Sequence, residues 1–336
     1  MCPNNPEIFD KRWSEIGGLF DYSHRKYLPL VGKDWPSYLP MIRPGIRRTK
    51  PLNSTFVALS LHEVLRCLKT KKGGFESPGR SLFRRKLCLR EDCKVALIGV
   101  GPDHLVESFY AHYREYHYAE IFADLDIIAV TPPNFSFFLD VPRTQSLYNR
   151  KRMLRVADEF LDHGVPVAPH FNASNKADWE FWIDLLQGSP DLSMFCKEFQ
   201  TGNKLKLNYD ETVNYMVRMQ HRVGRSLHPL LVAGKKPLRG LKPHFKTFTV
   251  IDSEPSMRTN HRQILSNGKW QTIHSSPKAC LSKLLDHNIA AYARILERKF
   301  KDAANQKRGP EQPVQPEMAE LELEDYISRT NLSPLE

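Results

Sequence analysis

The stretch from Asp126 to Asn172, DIIAVTPPNFSFFLDVPRTQSLYNRKRMLRVADEFLDHGVPVAPHFN, decides the fold. It opens on an apolar run, Asp126–Thr131, and passes into a polar, proline-rich loop. Leu147, Met153, Leu154, Ala157 and Leu161 then recur near helical spacing, and a second apolar run, Val165–His170, closes the unit. Short continuous apolar runs suit strands buried on both faces, as in a parallel sheet. A strand, a helix and a strand in succession imply a right-handed βαβ crossover.

The same rhythm extends in both directions. Leu39–Arg43, Thr55–Ser60 and Val95–Val100 precede the unit, and Ser193–Cys196, Leu230–Ala233 and Thr247–Ile251 follow it. Trp179–Gln187 and Thr212–Gly224 carry helical patterns between them. About eight strands alternating with helices predict an α/β fold of the (β/α)8-barrel type, with an open doubly wound sheet as the rival. The pattern divides the chain into an N-terminal extension (1–37, with a short helix around Ile8–Ile16), a barrel domain (38–275), a C-terminal helix (276–308) and an acidic tail (309–336). A basic insertion, 69–90, interrupts the barrel. It holds Lys69, Lys71, Lys72, Arg80, Arg84, Arg85, Lys86 and Arg90 against Glu76 alone, with glycines and a proline inside, and reads as a long loop.

Composition narrows the partners. A chain of 336 residues with 41% apolar and 26% charged residues builds a real core, which excludes wholesale disorder. Its net charge of +11 attracts nucleic acid or another phosphate-bearing anion. The N-terminus has no apolar signal core, and no run approaches the roughly 20 residues that span a bilayer, so a cytoplasmic protein without a membrane partner is expected. The six cysteines are scattered, and Cys88 and Cys93, the one close pair, lack a second pair at finger-like spacing, so no metal site is expected. Neither a P-loop nor a zincin or esterase motif occurs, and GVGPD (Gly99–Asp103) lacks the third glycine of a dinucleotide fingerprint. The cofactor stays open.

Barrel enzymes place their chemistry on the loops that follow the strands. Read that way, Asp140, Glu198 and Asp252 are candidate acids, bases or nucleophiles sharing one pocket, with Lys197 and His170 assisting. Asn134, Ser136, Arg143, Asn172, Gln200 and Arg258 are candidate substrate ligands. Arg84, Arg85, Lys86, Lys235 and Lys236 are candidate nucleic-acid contacts, with Phe75, Phe83 and Tyr148 as stacking partners. Bland alternatives stand beside these. His170 fits a satisfied core histidine, Lys197–Glu198 a structural ion pair, Asp252 a helix cap, and Ser174 or Asn175 a cap for the next helix.

YLPMIRP, TPPNFSFFLDVPRTQSLYN, GVPVAPHFN, KEFQTG and TVIDSEPSMR together resemble an uncharacterised family of bacterial, phage and mobile-element proteins, a domain of unknown function. The resemblance runs from about Tyr38 to Arg262 and is most specific over Thr131–Asn149. It implies a prokaryotic or phage origin and a barrel-like α/β core, and it brings no activity. The family pattern places an acid where this chain has Asn134. The sequence thus favours a barrel binding an anionic substrate on its C-terminal face, as a nucleic-acid- or nucleotide-processing transferase or hydrolase. A non-catalytic nucleic-acid-binding protein of a mobile element and a barrel enzyme on a small phosphorylated metabolite are the alternatives.

Overall fold

The computed structural model describes residues 6–23, 25–28, 35–43, 48–71, 73–137, 141–200, 206–273 and 281–305. Seven strands, β1 (Tyr38–Ile42), β2 (Phe56–Ser60), β3 (Lys94–Ile98), β4 (Ile127–Val130), β5 (Met194–Glu198), β6 (His228–Val232) and β7 (Thr249–Asp252), form one sheet in the order β4-β3-β2-β1-β7-β6-β5. Every neighbouring pair in it is parallel.

The 165–170 segment closes the gap between β4 and β5. It bridges Val130 through Val167 and Cys196 through His170, both in parallel sense. The Val130 amide donates to the Pro166 carbonyl at 2.8 Å and the Ala168 amide to the Val130 carbonyl at 2.9 Å. On the other side the Cys196 amide donates to the Pro169 carbonyl at 2.8 Å and the Phe171 amide to the Cys196 carbonyl at 2.9 Å. Pro166 and Pro169 have no N–H to give, so this stave pairs intermittently, donating through Ala168 and Phe171 and accepting through the two proline carbonyls. All eight apolar runs become staves of one closed parallel barrel.

Strand alternation sorts the side chains into two cores. Leu39, Ala58, Ala96, Ala129, Ala168, Met194, Cys196, Leu230 and Ile251 fill the barrel's interior. Val57, Leu97, Val130, Val167, Phe195, Leu231 and Val250 face outward and pack beneath the helices. Those helices are α1 (Pro6–Glu15), α2 (Leu61–Leu68), α3 (Arg80–Lys86), α4 (Asp103–His112), α5 (Tyr118–Asp124), α6 (Arg143–Asp162), α7 (Lys176–Gly188), α8 (Lys206–Val223), α9 (Leu238–Leu241), α10 (Glu254–Asn260) and α11 (Leu281–Asn305). A hairpin of β8 (Gln263–Ser266) and β9 (Lys269–Thr272), absent from the sequence reading, sits between α10 and α11. Among the described residues no helix is long and apolar enough to cross a membrane.

The basic insertion is more ordered than a loop. It carries α3, in which Phe83 is wholly buried and Arg84 is 1% exposed. Arg84 donates to the carbonyls of Cys93 (2.9 Å) and Leu125 (3.2 Å), which flank the starts of β3 and β4. Arg84 is therefore corrected from a nucleic-acid contact to a brace at the end of the barrel opposite the strand C-termini. Arg85 and Lys86 are exposed at that same end. The proposed stacking aromatics are packed as well. Tyr148 is 2% exposed, and Phe75 lies against Tyr116 and Tyr118 with ring centroids 4.8 and 5.2 Å away. The acidic tail and Asp140 lie outside the described residues.

Candidate active site at the barrel mouth

At the C-terminal end of the staves, alternation continues one step past the apolar interior. Ser60 follows Ala58, Thr131 follows Ala129, His170 follows Ala168 and Glu198 follows Cys196, so these four polar residues belong to the inner face. Each is buried, His170 and Thr131 completely. Thr131 was missed in the sequence, although its place two residues after Ala129 on the same run was a usable signal.

A chain of hydrogen bonds ties the tops of neighbouring staves together. The Gly99 amide donates to Thr131 Oγ1 at 2.7 Å, and His170 Nε2 lies 3.0 Å from the same oxygen. Behind Gly99, His62 Nε2 approaches the Gly99 carbonyl at 3.4 Å, with its ring edge-on to Phe109 of α4. Burial, with the charge of Lys197 adding to it, holds His170 down to about 3. Burial likewise holds His62 down to about 4, partly offset by the Gly99 carbonyl. Both imidazoles are neutral at physiological pH. Their Nδ1 atoms are buried and have no partner among the described residues.

Lys197 and Glu198 part company because adjacent strand residues point to opposite faces. Lys197 reaches outward, donating to the Phe171 carbonyl at 3.1 Å with its ammonium 5.5 Å from the Trp179 ring centre. Burial lowers it to about 8, with Glu198 opposing. Glu198 turns inward, and its Oε1 accepts the Gln200 amide. The ion-pair alternative thus gives way to two residues on two sides of one wall.

The same parity separates Asp252 from Glu198. Ile251 faces inward, so Asp252 faces the helices. Its Oδ1 accepts the Glu254 amide at 2.9 Å, its Oδ2 accepts Tyr292 of α11 at 2.5 Å, and Lys235 stands 3.6 Å away. Lys235 itself pairs with Glu254 at 2.5 Å. Arg258 is engaged by Gln263 (3.1 Å) and Glu254 (3.7 Å). The expected shared pocket is corrected accordingly: Glu198 and Asp252 occupy opposite faces of the wall, and Asp140 lies outside the described residues. Lys236 is exposed on the loop after β6.

Around the mouth, Asn172 Nδ2 donates to Asn134 Oδ1 at 2.6 Å and to the Phe135 carbonyl at 3.1 Å, fixing the loop after β4. Ser136 donates to Asp103 at 2.8 Å. That pair lines a cavity of about 300 Å³ with Glu107, Val141, Pro142, Gln145 and Asn149. Arg143, read as a phosphate ligand, is corrected to a frame residue. It makes a two-pronged pair with the wholly buried Asp178 (2.8 and 2.5 Å), which Arg150 joins at 3.0 Å. Asn175 caps α7 by accepting the Asp178 amide at 3.1 Å. Among the described residues no three His, Cys, Asp or Glu side chains are grouped to hold a metal ion.

No protein-family model matches the chain, and comparison with curated proteins finds no match. Solved structures share the architecture loosely. A xylose isomerase domain protein from Planctomyces limnophilus is 12% identical with a TM-score of 0.40, over 84% of this chain and 100% of that one. A protein from Anabaena variabilis, described provisionally as a sugar phosphate isomerase/epimerase, is 10% identical with a TM-score of 0.34, over 62% of this chain and 77% of that one. Likeness at this level decides nothing about chemistry; the barrel stands on its own hydrogen bonds.

Proposed function

We propose that the chain is a barrel enzyme that moves protons on a small, hydroxylated and phosphorylated metabolite bound at the mouth. The observation that carries this is the row of inward polar residues, Thr131, His170 and Glu198, at the C-terminal ends of three successive staves. Ser60, the fourth residue of the inner row, caps α2 by accepting the Glu63 amide at 3.4 Å, whereas Thr131 and His170 are bonded to each other and cap no helix. Glu198 is the one carboxylate of this row and serves as the proton carrier. His170, being neutral, serves as a hydrogen-bonding group rather than a charge. The net charge of +11 and the exposed Lys236 on the same face favour an anionic end on the substrate.

The nucleic-acid reading has less support. Arg84, Phe83 and Tyr148 are buried, Arg143 and Lys235 are ion-paired, and Arg85 and Lys86 lie at the far end of the barrel, which leaves Lys236 as the exposed candidate at the mouth. Calorimetry with triose and hexose phosphates, their unphosphorylated sugars and a single-stranded oligonucleotide tests the choice. Saturable binding of a sugar phosphate, with turnover abolished in Glu198→Gln but binding kept, supports the proposal. Tight oligonucleotide binding whose affinity falls steeply with salt, and no sugar binding, would return the protein to the nucleic-acid class.

A further inference from the structure

The hydrogen positions around Thr131 follow from counting donors and acceptors. A backbone amide only donates, so Gly99 gives its hydrogen to Thr131 Oγ1. The contact with His170 Nε2 at 3.0 Å then has two arrangements. In the first, the Thr131 hydroxyl donates to Nε2, and the histidine proton sits on Nδ1. One buried polar group, Nδ1–H, is left without a protein partner. In the second, Nε2–H donates to Thr131. The hydroxyl hydrogen then has no acceptor among the described residues, and the Nδ1 lone pair has no donor, which leaves two buried orphans. Buried polar groups are costly to leave unpaired, so the first arrangement wins. A doubly protonated ring is excluded by the burial and by Lys197 beyond the wall, which hold its pKa down to about 3.

We infer that His170 presents Nδ1–H as a fixed hydrogen-bond donor to a carbonyl oxygen of the ligand, with Thr131 as the positioning residue that sets its tautomer. This rests on the mouth being the ligand site. The ligand class follows from charge. A lone neutral donor suits an uncharged acceptor, and Glu198 on the same inner face disfavours a carboxylate or phosphate there. Lys197, the neighbour of Glu198 in sequence, points to the other side of the wall. A hydroxy aldehyde or hydroxy ketone fits, its phosphate lying outward at the rim. When Glu198 takes the proton from the carbon beside that carbonyl, the C–H electron pair forms a carbon–carbon double bond. The carbonyl π pair moves onto the oxygen held by Nδ1–H, giving an enediolate. When Glu198 returns the proton to the former carbonyl carbon, the carbon–carbon π pair forms the new C–H bond. The adjacent hydroxyl passes its proton to the oxyanion, and the freed O–H pair becomes the new carbonyl bond. A preorganised N–H aimed at a developing oxyanion is a strong catalytic device.

Nitrogen NMR of protein labelled in the histidine rings reads the tautomer directly, without any ligand. The Nδ1–H form is expected for His170 in the wild type and in Thr131→Ser, and a shift toward the Nε2–H form in Thr131→Val. An Nε2–H wild type overturns the inference and leaves the mouth proposal standing. Titration with dihydroxyacetone phosphate and 3-hydroxypropyl phosphate, which has a methylene in place of the carbonyl and so no oxygen to accept there, reads the ligand class. At least about tenfold tighter binding of the carbonyl compound is expected, since a site built around a hydrogen bond rejects an analogue that cannot complete it. Equal affinity overturns the carbonyl assignment. Binding of neither, with the Nδ1–H form in place, overturns the mouth as the ligand site and with it the inferred ligand.

Discussion

Asp178 has no exposed surface and accepts hydrogen bonds from Arg143, Arg150 and the Ser174 amide. Burial alone would raise its pKa, but Arg143 and the Ser174 amide outweigh it and hold the carboxyl below its ordinary value. A depressed carboxylate contributes stability above its unfolded pKa of about 3.9, and that stability is lost as the pH falls through the folded value. Asp178→Asn is therefore expected to cost about 3–5 kcal/mol at neutral pH, because it leaves two guanidinium groups short of a counter-charge. It should also flatten the dependence of denaturant midpoint on pH below about 4. An unchanged acid limb would show that other carboxylates dominate. Arg84→Ala tests the other reassigned arginine. With several carbonyls losing a donor, it is expected to cost about 3 kcal/mol in chemical denaturation, while Arg85→Ala should lie within about 0.5 kcal/mol of wild type. At this scale the sequence was least informative. It shows that Arg84, Arg143 and Lys235 are charged, but which way each points depends on helix phase and on partners far along the chain, such as Asp178 for Arg143.

Among the elements, the GVGPD turn after β3 shows why a glycine pattern need not mean a nucleotide. A Cβ on Gly99 would fall 2.0 Å from the Pro132 carbonyl oxygen and 2.6 Å from that of Thr131. The glycine lets the loops after β3 and β4 touch, so that its amide reaches Thr131 and its carbonyl takes the Asn134 amide at 2.9 Å. Gly99→Ala is expected to destabilise by about 2–4 kcal/mol, since backbone rather than a pliable side chain must move. It should also disturb the His170 ring resonances. A variant as stable as wild type would mean that the loops have room to part. Helices were legible where apolar spacing was regular, as in α6 and α7, and their ends were not. α3 was hidden by its charge: RSLFRRK buries only Phe83 and Arg84, too few positions to print a helical stripe. The inner row at the mouth was legible in principle, because parity counted from Ala129, Ala168 and Cys196 reaches Thr131, His170 and Glu198. Counting only the residues beyond each strand passed over Thr131 and placed Asp252 on the wrong face.

For the whole molecule, closure depends on the stave with the weakest ladder. The eight apolar runs give the number of staves, but sequence alone could not tell a closed barrel from an open sheet, because that turns on whether 165–170 joins both β4 and β5. Four main-chain bonds make the join, two on each side, and the prolines at 166 and 169 limit it to that. His170 sits on this stave, so the order of the mouth and the closure of the barrel are one question. Amide hydrogen exchange answers it. In a closed barrel the amides of Val130, Ala168, Phe171 and Cys196 open only with large-scale unfolding. They are then expected to exchange about as slowly as those of Ala96 and Leu97 in the sheet centre. If the β4–β5 seam opens on its own, these four exchange orders of magnitude faster than the centre while the other ladders stay protected. That result would make the inner row at the mouth a mobile edge, and a rigid hydrogen-bond donor at His170 would no longer follow.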